Sequence, residues 1–314
     1  MIEIKHLTKR YGNHTAVDDL NIDIEPGRIY GFLGSNGAGK STTMNIITGY
    51  LAPSEGTVVV NGHDIYKEPE AAKACIGYLP EIPPLYSDMT VLEYMDFVAE
   101  LKKIPKAERD NAVDEACITT GISDVAGRLI RNLSKGYKQR VGLAQAILGK
   151  PDIIILDEPT VGLDPAQIIE IRELIAKLGR EHTIILSSHI LTEISAVCNY
   201  IFIISQGKLV AADTTEKLMT QMAGVQEVEV TIASDSPCTE IYEKLDCVDR
   251  VEVLPETEPD TVHMMIYGKP EADIRADVYK CAVDNKQVLL GLNSVKRSLE
   301  EVFLEIIQEG GPEE

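Results

Sequence analysis

The chain has 314 residues, 44% hydrophobic and 25% charged, which excludes collagen-like, low-complexity and disulfide-scaffold proteins and leaves room for two domains of roughly 100–200 residues each. A formal net charge of −20 argues against a nucleic-acid partner, whose phosphates need clustered Lys and Arg to displace their counterions. No apolar run reaches the ~18–20 residues of a membrane-spanning helix, and the stretch from Met1 to Gly12 lacks the apolar segment of a signal peptide, so a cytoplasmic protein is expected.

Over residues 1–66, short β-type stretches (Ile2 to His6, Leu20 to Ile24, Ile29 to Leu33, Thr57 to Val60) alternate with Gly, Pro, Asn and Asp, as strands and turns do. A glycine-rich loop and a helix reaching Gly49 interrupt them. Between 85 and 150 the pattern becomes helical. Thr90-Val-Leu-Glu93 is a capping box, and Val91, Tyr94, Met95, Val98 and Leu101 fall on one helical face. A further helix is predicted from about Lys135 to Leu148, closed by Gly149 and Pro151.

Residues 153–156, Ile-Ile-Ile-Leu, are the continuous apolar run of a strand buried on both faces of a parallel sheet. Asp164-Pro165-Ala166-Gln167 opens a helix with an N-cap and a proline at its first position, and that helix ends at Gly179. Thr183 to Ser187 and Tyr200 to Ser205 read as strands around a helix near Ile190 to Val197. Such alternation defines an α/β domain with a parallel sheet.

Near residue 220 the charge balance shifts, since residues 221–314 carry 21 acidic and 8 basic side chains. The order of elements changes with it: strand Glu227 to Ala233, helix Cys238 to Leu245, strands Arg250 to Leu254 and Thr261 to Tyr267, helix Glu271 to Asp284, strand Gln287 to Leu292. That β-α-β-β-α-β order predicts a small ferredoxin-like α+β domain over 220–314, separate from 1–219. An amphipathic helix, Leu299 to Ile307, is expected before an acidic tail. The six cysteines form no C-x-x-C pair, so reduced, mostly buried thiols are expected.

Gly34-Ser-Asn-Gly-Ala-Gly-Lys-Ser-Thr42 fits the phosphate-binding pattern G-x-x-x-x-G-K-[ST], directly after a predicted strand and opening a helix. The amides of Gly34, Ser35, Asn36, Gly37, Ala38 and Gly39, with the helix start at Lys40, Ser41 and Thr42, make a cradle for anionic phosphates. Lys40 is expected to reach the β- and γ-phosphates and the Ser41 hydroxyl to bind Mg²⁺. Asp157 follows the 153–156 run at the strand edge where open α/β sheets place ligands, which makes it a Mg²⁺ carboxylate candidate. Glu158 beside it is the natural general base for an attacking water. The blander reading of that pair is two solvated carboxylates before the turn at Pro159.

Leu133-Ser-Lys-Gly-Tyr-Lys-Gln-Arg140 resembles the LSGGQ signature of the ABC ATPases, with Lys135 and Tyr137 as variations. Residues 1 to about 218 resemble that family throughout: Tyr11 at the A-loop aromatic, Glu81 at the Q-loop, Gly162-Leu-Asp164 at the D-loop and Ser187-Ser-His189 at the switch histidine. The resemblance implies a P-loop ABC ATPase domain with a parallel-sheet core, an antiparallel β subdomain and a helical subdomain. It implies ATP with Mg²⁺, Tyr11 stacked on the base, Glu81 helping to hold the metal, and Glu158, His189 and Lys40 carrying the chemistry. Ser134 and Gly136 would contact the γ-phosphate held by a second protomer in a head-to-tail dimer, either of two copies or with a paralogue. Tyr11 also suits a turn, Asp164 an N-cap and His189 a structural role.

The family has Gln where this chain has Glu81, and Gly77-Tyr-Leu-Pro-Glu81 resembles a form found in an exporter-type branch. Ser298-Leu-Glu-Glu-Val-Phe303 resembles the closing helix of that branch's C-terminal extension. The resemblance implies a peripheral protein at the cytoplasmic face, driving a separate polytopic permease that docks near residues 82–101, with Leu85, Tyr86 and Met89 as candidate contacts. The competing readings are a soluble mechanical ABC ATPase acting on ribosomes or DNA, and a P-loop kinase for a small molecule. The latter leaves residues 133–140 unexplained.

Overall fold

The computed structural model describes residues 1–222, 227–234, 239–255, 259–269 and 272–295. Two long strands, β1 (Ile2–Tyr11) and β2 (His14–Ile24), precede β3 (Ile29–Leu33), α1 (Lys40–Ile47), β4 (Glu55–Val60) and the short β5 (His63–Asp64). The helix α2 (Pro69–Ala74) and β6 (Ile76–Leu79) lead into α3 (Val91–Leu101), α4 (Lys106–Thr120) and α5 (Lys135–Ile147). Then come β7 (Ile153–Asp157), α6 (Pro165–Leu178), β8 (Thr183–Ser188), α7 (Leu191–Ser195), β9 (Tyr200–Ser205) and β10 (Lys208–Thr214). One compact unit runs from Met1 to Thr215, and a second begins at Glu216, the second residue of α8 (Thr215–Met222).

Two sheets organise the first unit. The larger has the order β10-β9-β3-β8-β7-β6, parallel throughout except for the β9–β10 pair. Every residue of β3, β7 and β8 is buried, as a parallel sheet covered on both faces requires. The smaller sheet, β2-β1-β4-β5, is antiparallel. Met44, Ile46 and Ile47 of α1 join Ile2 and Ile4 of β1, Val58 of β4 and Phe32 of β3 in a single core, which locks α1 among the strands of both sheets. The start of α1 is thereby fixed at the C-terminal end of the sheet, where ligands bind in this architecture.

The helices α3, α4 and α5 pack on one another. The capping box at the start of α3 is formed in full, and Val91, Tyr94, Met95 and Val98 are buried as expected. Leu101 is not: it is 64% exposed, because the helix ends there and its last turn has left the packed face. The helix α4 falls within the stretch expected to be helical, but its own bounds carry little signal, since its apolar positions are few and small, with only Val113, Ala116, Cys117 and Thr120 buried.

Lys102, just past α3, donates to the carbonyls of Gln145, Ala146 and Leu148 at 2.7, 3.1 and 2.6 Å and so caps the end of α5. Burial pushes its ammonium down to about 8 from 10.5. Lys102→Met should lower stability at pH 7 by about 1–3 kcal/mol by orphaning these carbonyls. Because the folded state releases this proton before the unfolded chain does, the stability gap between parent and variant should widen as pH rises from about 8 towards 10. Denaturant titrations at pH 7, 8.5 and 10 measure both effects, and a gap that closes with pH contradicts them.

The second unit contains β11 (Glu227–Ala233), α9 (Glu240–Glu243), β12 (Val248–Val253), β13 (Thr261–Gly268), α10 (Arg275–Asp284) and β14 (Val288–Val295). Its antiparallel sheet has the order β12-β13-β11-β14, so the first and third strands are central. Val228, Val230, Ile232, Met264 and Ile266 meet Tyr242 of α9 and Val278 and Ala282 of α10 in its core. The helix expected over Cys238 to Leu245 is reduced to one turn, and that expected from Glu271 begins at Arg275. The expected helix Leu299 to Ile307 lies outside the described residues. Of the five cysteines among the described residues, all are free thiols; Cys117, Cys198 and Cys281 are buried.

Candidate functional site

A cleft of about 470 Å³ opens at the C-terminal ends of the central strands, lined by Tyr11, Asn36, Gly37, Gly39, Lys40, Ser41, Thr42, Glu81, Glu158 and His189. Six of the ten belong to the 36–42 loop and helix start, and the fold brings Tyr11, Glu81, Glu158 and His189 to them from distant stretches of the chain. The loop from Gly34 to Gly39 follows β3, and Gly39 adopts φ +104, a conformation open to glycine. A Cβ there would also lie 2.4 Å from the Ala16 carbonyl oxygen. Lys40, 5% exposed, turns back along the loop and donates to the carbonyls of Gly34 at 2.8 Å and Ser35 at 3.2 Å. Ala38 is buried, and its amide donates to the Ser35 carbonyl at 3.1 Å.

Glu158 follows β7 in the left-handed region, with φ 47. Such a conformation in a non-glycine residue costs on the order of 1–3 kcal/mol and clusters at functional sites. Its Oε1 is 3.5 Å from Lys40 Nζ and its Oε2 is 3.0 Å from His189 Nδ1. Asp157, buried behind the cleft, accepts from the Ser41 hydroxyl at 3.2 Å and the Ser187 hydroxyl at 2.5 Å. The Ser187 oxygen in turn accepts from the Glu158 amide at 2.9 Å. That hydroxyl, which links both acidic residues, went unassigned in the sequence, as did His14, Ala16 and Val161 in the cleft wall. The signal for Ser187 was its place in the Ser-Ser-His run; the other three carry none.

Tyr11 ends β1 opposite His14, half exposed, with Lys9 Nζ 5.1 Å from its ring centroid. Ser134 and Gly136 do not line the cleft. Ser134 caps α5 by accepting from the Tyr137 amide at 3.3 Å. A Cβ on Gly136 would lie 2.7 Å from the Gln167 side chain, and one on Gly162 2.1 Å from Lys135 Nζ, so a side chain from each helix start fills the space beside a glycine of the other segment. Asp164 does cap α6, accepting from the Gln167 amide at 2.9 Å.

The fold and this loop define a P-loop nucleotide-binding ATPase of the mixed α/β class. Residues 17–161 match the family described as ABC transporter. The chain is 41% identical over 211 residues to the bacitracin transport ATP-binding protein of Bacillus licheniformis, covering 67% of this chain and 68% of that one. With the bacitracin transport ATP-binding protein of Enterococcus faecalis it shares 30% identity over 313 residues, 99% of this chain and 97% of the relative. Among solved structures it is similar to a dimeric ATP-binding cassette in a post-hydrolysis state with ADP and Pi, with TM-score 0.62 and 25% identity over 68% of this chain and 99% of that one. The chain belongs to the ABC transporter ATP-binding proteins. It is the ATP-binding, ATP-hydrolysing subunit of an ABC transporter.

Proposed function

We propose that this chain is the ATPase of an exporter, with residues 1–219 forming the ATPase domain and 220–314 a ferredoxin-like accessory domain. The observation that carries the assignment of roles is Glu158 held between Lys40 and His189, beside the Asp157–Ser41 pair. The amides of the 34–39 loop and Lys40 bind the phosphates of ATP and fix them in line with Glu158. Glu158 accepts the proton of the attacking water through a carboxylate oxygen, and His189 orients that carboxylate and donates toward the γ-phosphate. Tyr11 offers an exposed ring for the base.

Mg²⁺ would be held by Ser41 Oγ and Asp157, hard oxygen donors already adjacent, with Glu81 at the cleft wall. When bound it neutralises charge on the β- and γ-phosphates. Ser134 and Gly136, outside the cleft of their own chain, face a second protomer's γ-phosphate in a head-to-tail dimer, of two copies or with a paralogue. Their place at a helix start suits an anion.

No helix among the described residues is long and apolar enough to cross a membrane, so the transport path belongs to a separate polytopic permease. Its docking surface is the 82–101 segment, where Ile82 is 81% and Tyr86 55% exposed while Leu85 and Met89 are half-buried. The chain works peripherally at the cytoplasmic face, with no nucleic-acid partner. The exporter-type form at 77–81 and the relatives named for bacitracin transport support the direction and suggest an antibiotic as cargo.

The test is affinity capture of the Glu158→Gln chain with ATP and Mg²⁺ from detergent-solubilised membranes of its source. A polytopic membrane protein at stoichiometric yield, lost on replacing Ile82 and Tyr86 by Glu, is expected. Ribosomes or DNA in its place would favour a soluble mechanical ATPase.

A further inference from the structure

Outside the cleft, one buried carboxylate touches both turns that carry the proposed hydrolytic residues. Glu193, on α7, is 7% exposed, and its Oε2 accepts from the Thr160 hydroxyl at 2.5 Å and from the Ser188 hydroxyl at 3.2 Å. Thr160 is two residues after Glu158 in the turn that follows β7; its carbonyl accepts from the Leu163 amide at 3.2 Å, closing the D-loop turn. Ser188 immediately precedes His189, and its oxygen accepts from the Ile190 amide at 3.1 Å, closing the turn on which His189 stands. Thr160 and Ser188 are themselves buried. From α6, Arg172 brings its guanidinium to 3.9 Å from Glu193 Oε1, and the buried Arg172 Nε has no hydrogen-bond partner.

A carboxylate removed from water is costly unless it is paired and hydrogen-bonded, and here its donors are drawn from the two segments whose spacing matters most. We infer that Glu193 is a positioning residue for ATP hydrolysis: its carboxylate clamps the Glu158 turn to the His189 turn and so sets the 3.0 Å contact between Glu158 and His189. Glu193 touches neither ATP nor the attacking water. It acts by fixing the angle at which Glu158 faces the γ-phosphate, and a small misplacement of a catalytic group is enough to cost about 10²-fold in rate. The inference rests on the roles proposed above for Glu158 and His189.

The experiment compares Glu193→Gln, Thr160→Val and Thr160→Ser in the full-length chain by steady-state phosphate release, at a temperature where each variant is folded by circular dichroism. Glu193→Gln keeps the side chain's volume and removes its charge; Thr160→Val keeps the shape and removes the hydroxyl; Thr160→Ser restores the donor. The expected result is a kcat lowered about tenfold or more by the first two, with KM for ATP within about threefold of the parent, and near-parental kcat for Thr160→Ser. A cycle with His189→Ala separates positioning from a general loss of packing. If Glu193 acts through the Glu158–His189 contact, Glu193→Gln costs much less in the His189→Ala background than in the parent.

Parental kcat in both Glu193→Gln and Thr160→Val, or losses that multiply with His189→Ala, overturns the positioning role while leaving the site assignment in place. Parental hydrolysis by His189→Ala alone overturns the site assignment as well, so the two failures are told apart.

Discussion

Glu158→Gln should lower ATP turnover by about 10²–10⁴-fold while nucleotide affinity changes little. The side chain is 8% exposed, and each of its oxygens faces a nitrogen of the same chain, Lys40 at 3.5 Å and His189 at 3.0 Å. Glutamine has the same shape and can keep the contact to one of them, but it cannot take a proton from water at neutral pH. The phosphate-binding loop is untouched by the change, because its hydrogen bonds run from Lys40 to the carbonyls of Gly34 and Ser35. ATP should therefore bind, bridge two protomers and persist, and sizing chromatography with ATP should show a dimer that the parent forms only transiently. Single-turnover hydrolysis is the deciding measurement, and a rate near the parental one would show that the base lies elsewhere.

Lys40→Met should abolish ATP-dependent turnover and also destabilise the protein. The ammonium is the cation beside a nearly buried carboxylate, and removing one member of such a pair leaves the other charge uncompensated at a cost of about 3–5 kcal/mol. The same ammonium holds two loop carbonyls, so the cradle loses its internal brace as well. A clear sign follows for the double variant. Lys40→Met with Glu158→Gln should be more stable than Lys40→Met alone, because the second change removes the orphaned charge. Chemical denaturation of both variants and the parent reads this order. Equal stability of the single and double variants would mean that the two groups do not interact across their 3.5 Å separation.

Much of this was legible because the informative segments are local. The loop Gly34 to Thr42 between a strand and a helix, the apolar run before Asp157 and the caps at Thr90 and Asp164 are each decided by neighbours within a few residues. Strand β9 was read to the residue for the same reason, as an unbroken apolar stretch. The edge strand β10 was missed because its side chains are mostly half-buried and show no alternation. Leu101 was misjudged because periodicity says which face a residue is on but not where packing stops. The Ser187 bridge and the Glu193 clamp were invisible because they depend on pairing β8 with β7 in one register, Asp157 opposite Ser187, a fact of the sheet rather than of either strand.

Side chains reaching between the start of α5 and the start of α6 tie together two regions described separately. Gln167 fills the space beside Gly136 while Lys135 lies across Gly162, so each segment occupies the volume that a side chain on the other would need. Under the head-to-tail arrangement proposed above, the Ser134 loop and the 162–164 loop would present one shared surface to the second protomer, each filled out by a side chain from the other. A side chain added at Gly136 would push against Gln167 and one at Gly162 against Lys135, so under that arrangement a substitution at either glycine should disturb both motifs.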